Sequence, residues 1–252
     1  MGEEKKRSNK NMIIIIPTYN ERENIGPLLK KILANVSNTD IVVVDDDSPD
    51  GTTQEIKDFS KEYEKDIKLI ERKGERGLGT AYKAGLQYGL DHGYNILITM
   101  DADHSHNPVY VPDILSALEE NDVVVGSRYI RDGGTINWRI RRILLSWLAN
   151  RFARFILRLK GGDLTSGYRA YRREILEKIG LEHVRSNGYS YLVEMIFRVQ
   201  QLNARVEEVP IIFFDRTMGK SKISRKEIYR GALTLLRLRL TSKRIRRDYA
   251  KK

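Results

Sequence analysis

Two aspartates two residues apart, Asp101 and Asp103, close the apolar run in ILITMDADHSH, which spans Ile96 to His106. Carboxylates this close repel when isolated, and each raises the pKa of the other. A hard divalent cation relieves that repulsion, and carboxylates that share a cation with phosphate oxygens describe a Mg²⁺ or Mn²⁺ nucleotide site. Other residues capable of chemistry recur in the same kind of place: Pro17 to Glu21, Asp45 to Asp47, and Ser127 with Arg128, each just after an apolar run. Open parallel sheets bind ligands beyond the carboxyl ends of their strands. Merely solvated polar residues would be scattered instead.

The elements that must hold these residues are legible as alternating runs. Strands are expected at Met12 to Ile16, Asp40 to Val44, Ile67 to Ile70, Ile96 onward and Val123 to Val125, with helices ending near Ala34, Leu90 and Leu118. Asn20 with Glu23, and Thr52 with Glu55, have the spacing of capping boxes at helix starts. Further strands are expected at Gly167 to Tyr171 and Val206 to Phe214, separated by a helix over Tyr189 to Leu202 that carries Glu194. Strands that alternate with helices in this way predict an α/β fold built on a mostly parallel sheet. A charged leader is expected to be disordered over 1–11, followed by one domain over 12–240 and a basic tail over 241–252.

Two familiar phosphate-binding patterns are incomplete. The glycines of Arg76-Gly77-Leu78-Gly79 would need a third at the position of Tyr82, and Gly219-Lys220-Ser221 would need a first at the position of Phe214. The chain has no cysteine, which excludes disulfides and thiolate metal sites. A net charge of +11 predicts an anionic partner. No apolar run is long enough to span a bilayer and the N-terminus lacks the apolar segment of a signal peptide, so a soluble or peripheral protein is expected.

The basic residues are not spread evenly. From Gly133 to Gly162 there is no acidic residue, while both tryptophans, Trp138 and Trp147, and six arginines fall there. Ile140, Ile143, Leu144, Trp147, Leu148, Phe155, Ile156 and Leu159 lie at helical spacing, which predicts an amphipathic helix over about 138–160 with an apolar stripe beside an arginine-rich face. Such a helix either lies on an anionic membrane or packs on the core with a solvated basic back. Leu233 to Leu240 repeats the theme. The loop DRTMGKSKIS sets Arg216, Lys220 and Lys222 around Gly219, a composition suited to closing over phosphates. A nucleic-acid-binding protein, suggested by charge alone, would need aromatics interleaved on a basic sheet face or a recognition helix, whereas the basic residues here gather on an apolar-striped helix and a phosphate-type loop.

Together IIIIPTYNERENI, IVVVDDDSPDGT, RGLGTAYKAG, MDADHSHNP, VVGSRY, DLTSGYRAY, GYSYLVEM and EVPIIFFDRTMGKSKI resemble the family 2 glycosyltransferases of the GT-A fold. The later blocks resemble the dolichol-phosphate (polyprenol-phosphate) mannose synthases among them. The resemblance implies inverting, metal-dependent transfer of mannose from GDP-mannose to dolichyl (polyprenyl) phosphate. UDP-glucose or another nucleotide sugar is the alternative donor. It implies that Pro17, Tyr19, Glu21, Val44 and Asp46 line the nucleotide pocket, and that Asp101, Ala102 and Asp103 form the metal and diphosphate motif. Ser105, where some relatives carry Gln, becomes the third metal ligand, with water in support. Arg128 belongs at the catalytic centre, Arg142 and Ser146 at the acceptor phosphate, and Arg216 and Lys222 on a mobile loop over the donor diphosphate. Catalysis falls to Asp103, Arg128 and Arg216. The expected setting is the cytoplasmic face of an anionic membrane, with or without a membrane-embedded partner subunit, and with no nucleic acid. A phosphate acceptor is already anionic at pH 7 and needs no strong general base, so His104 and His106 are expected in supporting positions.

Overall fold

The computed structural model describes residues 12–215 and 225–250. The loop positions Arg216 and Lys222, the 1–11 leader and the last two residues lie outside the described residues. The chain begins β1 (Met12–Thr18), α1 (Arg22–Asn35), β2 (Asp40–Asp45), α2 (Thr52–Glu62), β3 (Ile67–Glu71), α3 (Leu78–Asp91) and β4 (Ile96–Thr99). A short turn at Pro108–Tyr110 opens α4 (Val111–Leu118), followed by β5 (Val123–Ser127), β6 (Gly134–Ile136) and α5 (Ile140–Leu157). Then come β7 (Arg169–Arg172), α6 (Arg173–Ile179), α7 (Tyr189–Gln201), β8 (Val206–Pro210), β9 (Ile212–Phe214) and α8 (Arg225–Tyr249).

Seven strands form one sheet in the order β3-β2-β1-β4-β7-β5-β8. Every neighbouring pair is parallel except those of β7, which runs antiparallel to both β4 and β5. The α/β architecture with its mostly parallel sheet is therefore as the alternation predicts. A run of four isoleucines suits a strand covered on both faces. Ile14 and Ile16 share one core cluster with residues of α1, α2 and α4, whereas Ile13 and Ile15 lie against α3 in a second cluster that extends to α7 and α8. Helix α3 approaches β1 closely because of Gly85, where a Cβ would sit 2.3 Å from the Ile15 side chain.

Several local expectations are corrected. Neither capping box forms. Asn20 is in the left-handed region with φ of 60°, and the residue that caps α1, Glu21, makes no side-chain cap bond. At α2 the acceptor is Asp50, which takes the Thr52 N–H at 3.0 Å, because Gly51 occupies the cap position with φ of 92°. The strand expected over Val206 to Phe214 breaks at Ile211, and β9 leaves the main sheet to pair with β6. Residues 241–249, expected as a tail, continue α8. Ile245 packs on the core, and the Tyr249 hydroxyl accepts from Arg198 Nη1 at 3.0 Å and donates to the Ile179 carbonyl at 3.2 Å.

Helix α5 turns most of its large apolar residues outward. Its inward face consists of Asn150, Ala153 and Leu157. Leu144, Leu145, Trp147, Leu148 and Phe152 are exposed, Ile140 and Phe155 by 82% and 80%, and Arg141 and Arg151 lie among them. Most of the stripe thus faces outward, with arginines inside it and no separate basic face, while Ile156 packs on the core and Leu159 is buried. Helix α8 packs beside α5 and leaves Leu233, Leu236 and Leu240 exposed. Among the described residues no helix is long and apolar enough to cross a membrane.

Candidate active site

The parallel arrangement brings the ends of β1, β2, β4 and β5 to one rim of the sheet. Three non-glycine residues just past those ends, Asn20, Asp47 and His104, hold φ near 60°, a conformation that ordinary side chains seldom adopt. Such backbone concentrates at functional sites.

On the β1–β2 side, Asp45 accepts from Thr18 Oγ1 at 2.7 Å and from the Ser48 N–H at 2.8 Å, which ties the two loops together. Asp46 is buried and doubly engaged. Arg72 Nε donates to one oxygen at 2.8 Å and the Gly77 N–H to the other at 2.8 Å. Asp46 is therefore held in an ion pair, and a base or ribose would meet it in competition with Arg72. Val44 is fully buried against α3, so its side chain belongs to the core and only its backbone can line a ligand. Pro17 is likewise buried in β1. Tyr19 is half-buried, with the Arg76 guanidinium 4.6 Å from its ring centroid. Glu21 accepts from Asn24 and anchors its own N–H on Thr52 Oγ1 at 3.0 Å.

At the end of β4, Asp101 is partly exposed and Asp103 is buried, with Ala102 packed beneath. The Tyr82 hydroxyl donates to Asp101 Oδ1, and burial together with the charge of Asp101 raises the Tyr82 pKa. His106 accepts the Asp101 N–H at Nδ1 over 2.9 Å. Burial lowers the His106 pKa, consistent with a neutral acceptor ring. Ser105 donates its hydroxyl to Asp103 Oδ1 at 2.5 Å, so it braces that carboxylate. The donor set suits a hard cation, because it offers carboxylate and hydroxyl oxygens and no thiolate. Among the described residues no group of three or more His, Cys, Asp or Glu side chains converges on a metal position. Asp101 and Asp103 would thus be completed by phosphate and water oxygens.

Arg128 leaves the end of β5 and is buried against Asp163. Nε and Nη2 reach the two carboxylate oxygens at 2.6 and 2.7 Å, and Nη2 also donates to Thr165 at 2.9 Å. Burial alone would lower the Arg128 pKa, yet the charge and hydrogen bonds of Asp163 raise it. Burial would likewise raise Asp163, and Arg128 brings it below the ordinary carboxylate range. The guanidinium lies over the rings of Phe213, Tyr129 and Trp138 at 5.1–5.3 Å. Arg142 stacks on Trp138 at 4.0 Å and donates from Nη1 to Asp215 at 2.6 Å. Ser146, half-buried on α5, neighbours the Tyr129 hydroxyl.

The two halves meet through aromatic contacts. His106 packs edge-on to Phe213 at 5.6 Å, and Phe213 edge-on to Trp138 at 5.3 Å. The paired aspartates, Arg128 and Arg142 therefore lie along one continuous stretch, from β4 through His106 and Phe213 to α5. Two clefts, of about 510 Å³ on α2 and β3 and about 300 Å³ around Arg185 and Arg237, include none of these residues. Sequence reasoning missed Asp163, Tyr82, Arg72, Trp138 and Phe213 as site residues. DLTSGYRAY contained Asp163, but only its contact with Arg128 distinguishes it from the other loop aspartates.

The family model described as glycosyl transferase family 2 matches residues 13–180. An undecaprenyl-phosphate mannosyltransferase of Micrococcus luteus is 41% identical over 213 residues, covering 84% of this chain and 87% of that protein. A polyprenol monophosphomannose synthase of Mycolicibacterium smegmatis is 41% identical over 223 residues, covering 88% and 84%. Among solved structures, glucosyl-3-phosphoglycerate synthase from Mycobacterium tuberculosis in complex with Mn²⁺, UDP-glucose and phosphoglyceric acid superposes with a TM-score of 0.65. That likeness covers 95% of this chain and 81% of the other at 17% identity, so it speaks to the fold alone.

Proposed function

This chain belongs to glycosyl transferase family 2, among the polyprenol-phosphate mannosyltransferases, and we propose that it transfers mannose from GDP-mannose to a dolichyl or other polyprenyl phosphate at a membrane surface. The observation that carries this reading is the junction of Asp101 and Asp103 with Arg128, Arg142 and Trp138 through His106 and Phe213. Negative charge develops on the departing diphosphate in such a transfer. Fixed cations aimed at it stabilise the transition state more than the ground state. Buried Arg128, held rigid by Asp163, is suited to that task, and Arg142 to the acceptor phosphate.

Asp101 and Asp103 would hold Mg²⁺ or Mn²⁺, braced by Tyr82 and Ser105, and the cation would neutralise the diphosphate. In this reading an oxygen of the lipid phosphate attacks the anomeric carbon opposite the departing GDP, inverting its configuration. That oxygen needs no proton removed, which agrees with a neutral, buried His106 occupied in holding the Asp101 backbone. The Arg76–Tyr19 stack and the Asp46–Arg72 pair line the nucleotide side. The outward apolar faces of α5 and α8, with arginines among them, favour a peripheral position on an anionic cytoplasmic leaflet. Incubation of the purified protein with GDP-mannose, UDP-glucose and UDP-mannose, Mg²⁺ or Mn²⁺, and a short polyprenyl phosphate tests this. Lipid-linked mannose from GDP-mannose alone is expected. Lipid-linked glucose, or no lipid-linked sugar, overturns it.

A further inference from the structure

Buried polar hydrogens are nearly always satisfied, so orphaned ones call for an explanation. Two lie together beside the catalytic residues. Trp138 Nε1 and Arg142 Nε are both buried and have no hydrogen-bond partner, and the Arg142 guanidinium lies 4.0 Å from the centre of the Trp138 ring. Asp215 binds Arg142 through Nη1. The edge formed by Nε and Nη2, which can grip an oxyanion with two parallel bonds, makes no hydrogen bond among the described residues. Both orphans are donors, and a guanidinium N–H cannot become an acceptor. The missing partner is therefore an acceptor, and the parallel Nε–H and Nη2–H of the Arg142 guanidinium, beside the indole N–H, suit the paired oxygens of an oxyanion.

We propose that Trp138 is a substrate-binding residue: its indole N–H and the Nε–Nη2 edge of Arg142 together receive the phosphate of the acceptor. This rests on the acceptor being a phosphate, as argued above, and adds a residue and a geometry to it. Arg142 supplies charge and the indole supplies a neutral, directional donor. The stacking of one on the other keeps both at a fixed separation. Asp215 holds the opposite corner of the guanidinium and so orients the free edge. A tetrahedral phosphate, with N···O contacts of about 2.7–3.2 Å, matches two such neighbouring donors. An uncharged hydroxyl acceptor would leave most of them unsatisfied.

The chain has only two tryptophans, so the test can be read directly. In a ¹⁵N-indole spectrum assigned with W147F, titration with citronellyl phosphate should shift the Trp138 Nε1–H signal downfield and saturably. Inorganic phosphate should do the same more weakly, and citronellol should not. W138F keeps a ring for both arginines to stack on. It should raise the KM for the lipid phosphate about tenfold, while kcat and the KM for the sugar donor stay within about twofold. A donor KM that rises equally, or a Trp138 signal indifferent to both phosphates, overturns the inference. If the indole signal responds but no sugar is transferred, the anion site stands and the transfer reading falls. If sugar is transferred while the indole signal stays still, transfer stands and the role of Trp138 falls.

Discussion

Asp163→Asn should cost more stability than its size suggests, and a second substitution in contact with it should restore part of the loss. Asp163 and Arg128 are both almost fully buried and joined by two side-chain hydrogen bonds of 2.6 and 2.7 Å. The Arg128 and Thr165 backbone N–H groups bond to opposite oxygens of Asp163, so the amide of D163N keeps an acceptor for only one of them and no longer balances the guanidinium. An uncompensated buried charge costs about 3–5 kcal/mol. Arg128→Met in the native background should be costly for the mirror reason, since it orphans a buried carboxylate. In the D163N background the same R128M change removes the unbalanced charge and should recover roughly 1–3 kcal/mol. Urea unfolding of the four proteins measures this coupling, and sugar transfer in the double variant should stay lost even as stability returns. If R128M destabilises D163N as much as it does the native protein, the pair is not electrostatically coupled and Arg128 is not held as argued. The pH dependence has a definite sign. The Asp163 pKa is depressed in the folded state, so its contribution is present above the ordinary carboxylate range and disappears only as pH falls through the lower folded value. D163N should flatten the acid limb of the stability curve.

Three further outcomes follow from the site and its supports. Asp103→Ala should lower metal-dependent transfer by roughly a hundredfold or more with the circular dichroism spectrum unchanged, and full turnover in excess chelator would refute the metal assignment. Sedimentation with anionic liposomes should fall as salt rises, through the arginines of α5, and F155E should weaken it at every salt concentration. Indifference to both would leave the outward apolar face unexplained. Gly85→Ala should destabilise by about 1–3 kcal/mol, because the added methyl overlaps Ile15 in β1. A neutral effect in thermal unfolding would mean that α3 can lift from the sheet at little cost.

Much was legible in the chain because it rests on local chemistry. Short apolar runs of β-branched residues favour covered strands, so IIII at Ile13 to Ile16 and IVVV at Ile41 to Val44 announced the sheet, and chemistry-bearing residues after such runs pointed to one rim of it as the candidate site. Asp101, Asp103 and Arg128 needed only that rule. What escaped was whatever depends on a partner distant in sequence. Asp163 is 35 residues from Arg128, Tyr82 is 19 from Asp101, and Asp215 is 73 from Arg142. Spacing carries no information about such pairs until the sheet and helices are assembled. The direction of α5 belongs to the same class. Helical periodicity shows that a face exists, but which face meets the core depends on what α8 and the 163–166 loop offer it. The inward positions went to Asn150, Ala153 and Leu157, most of the other large apolar residues were left outside, and only the assembled fold could decide that.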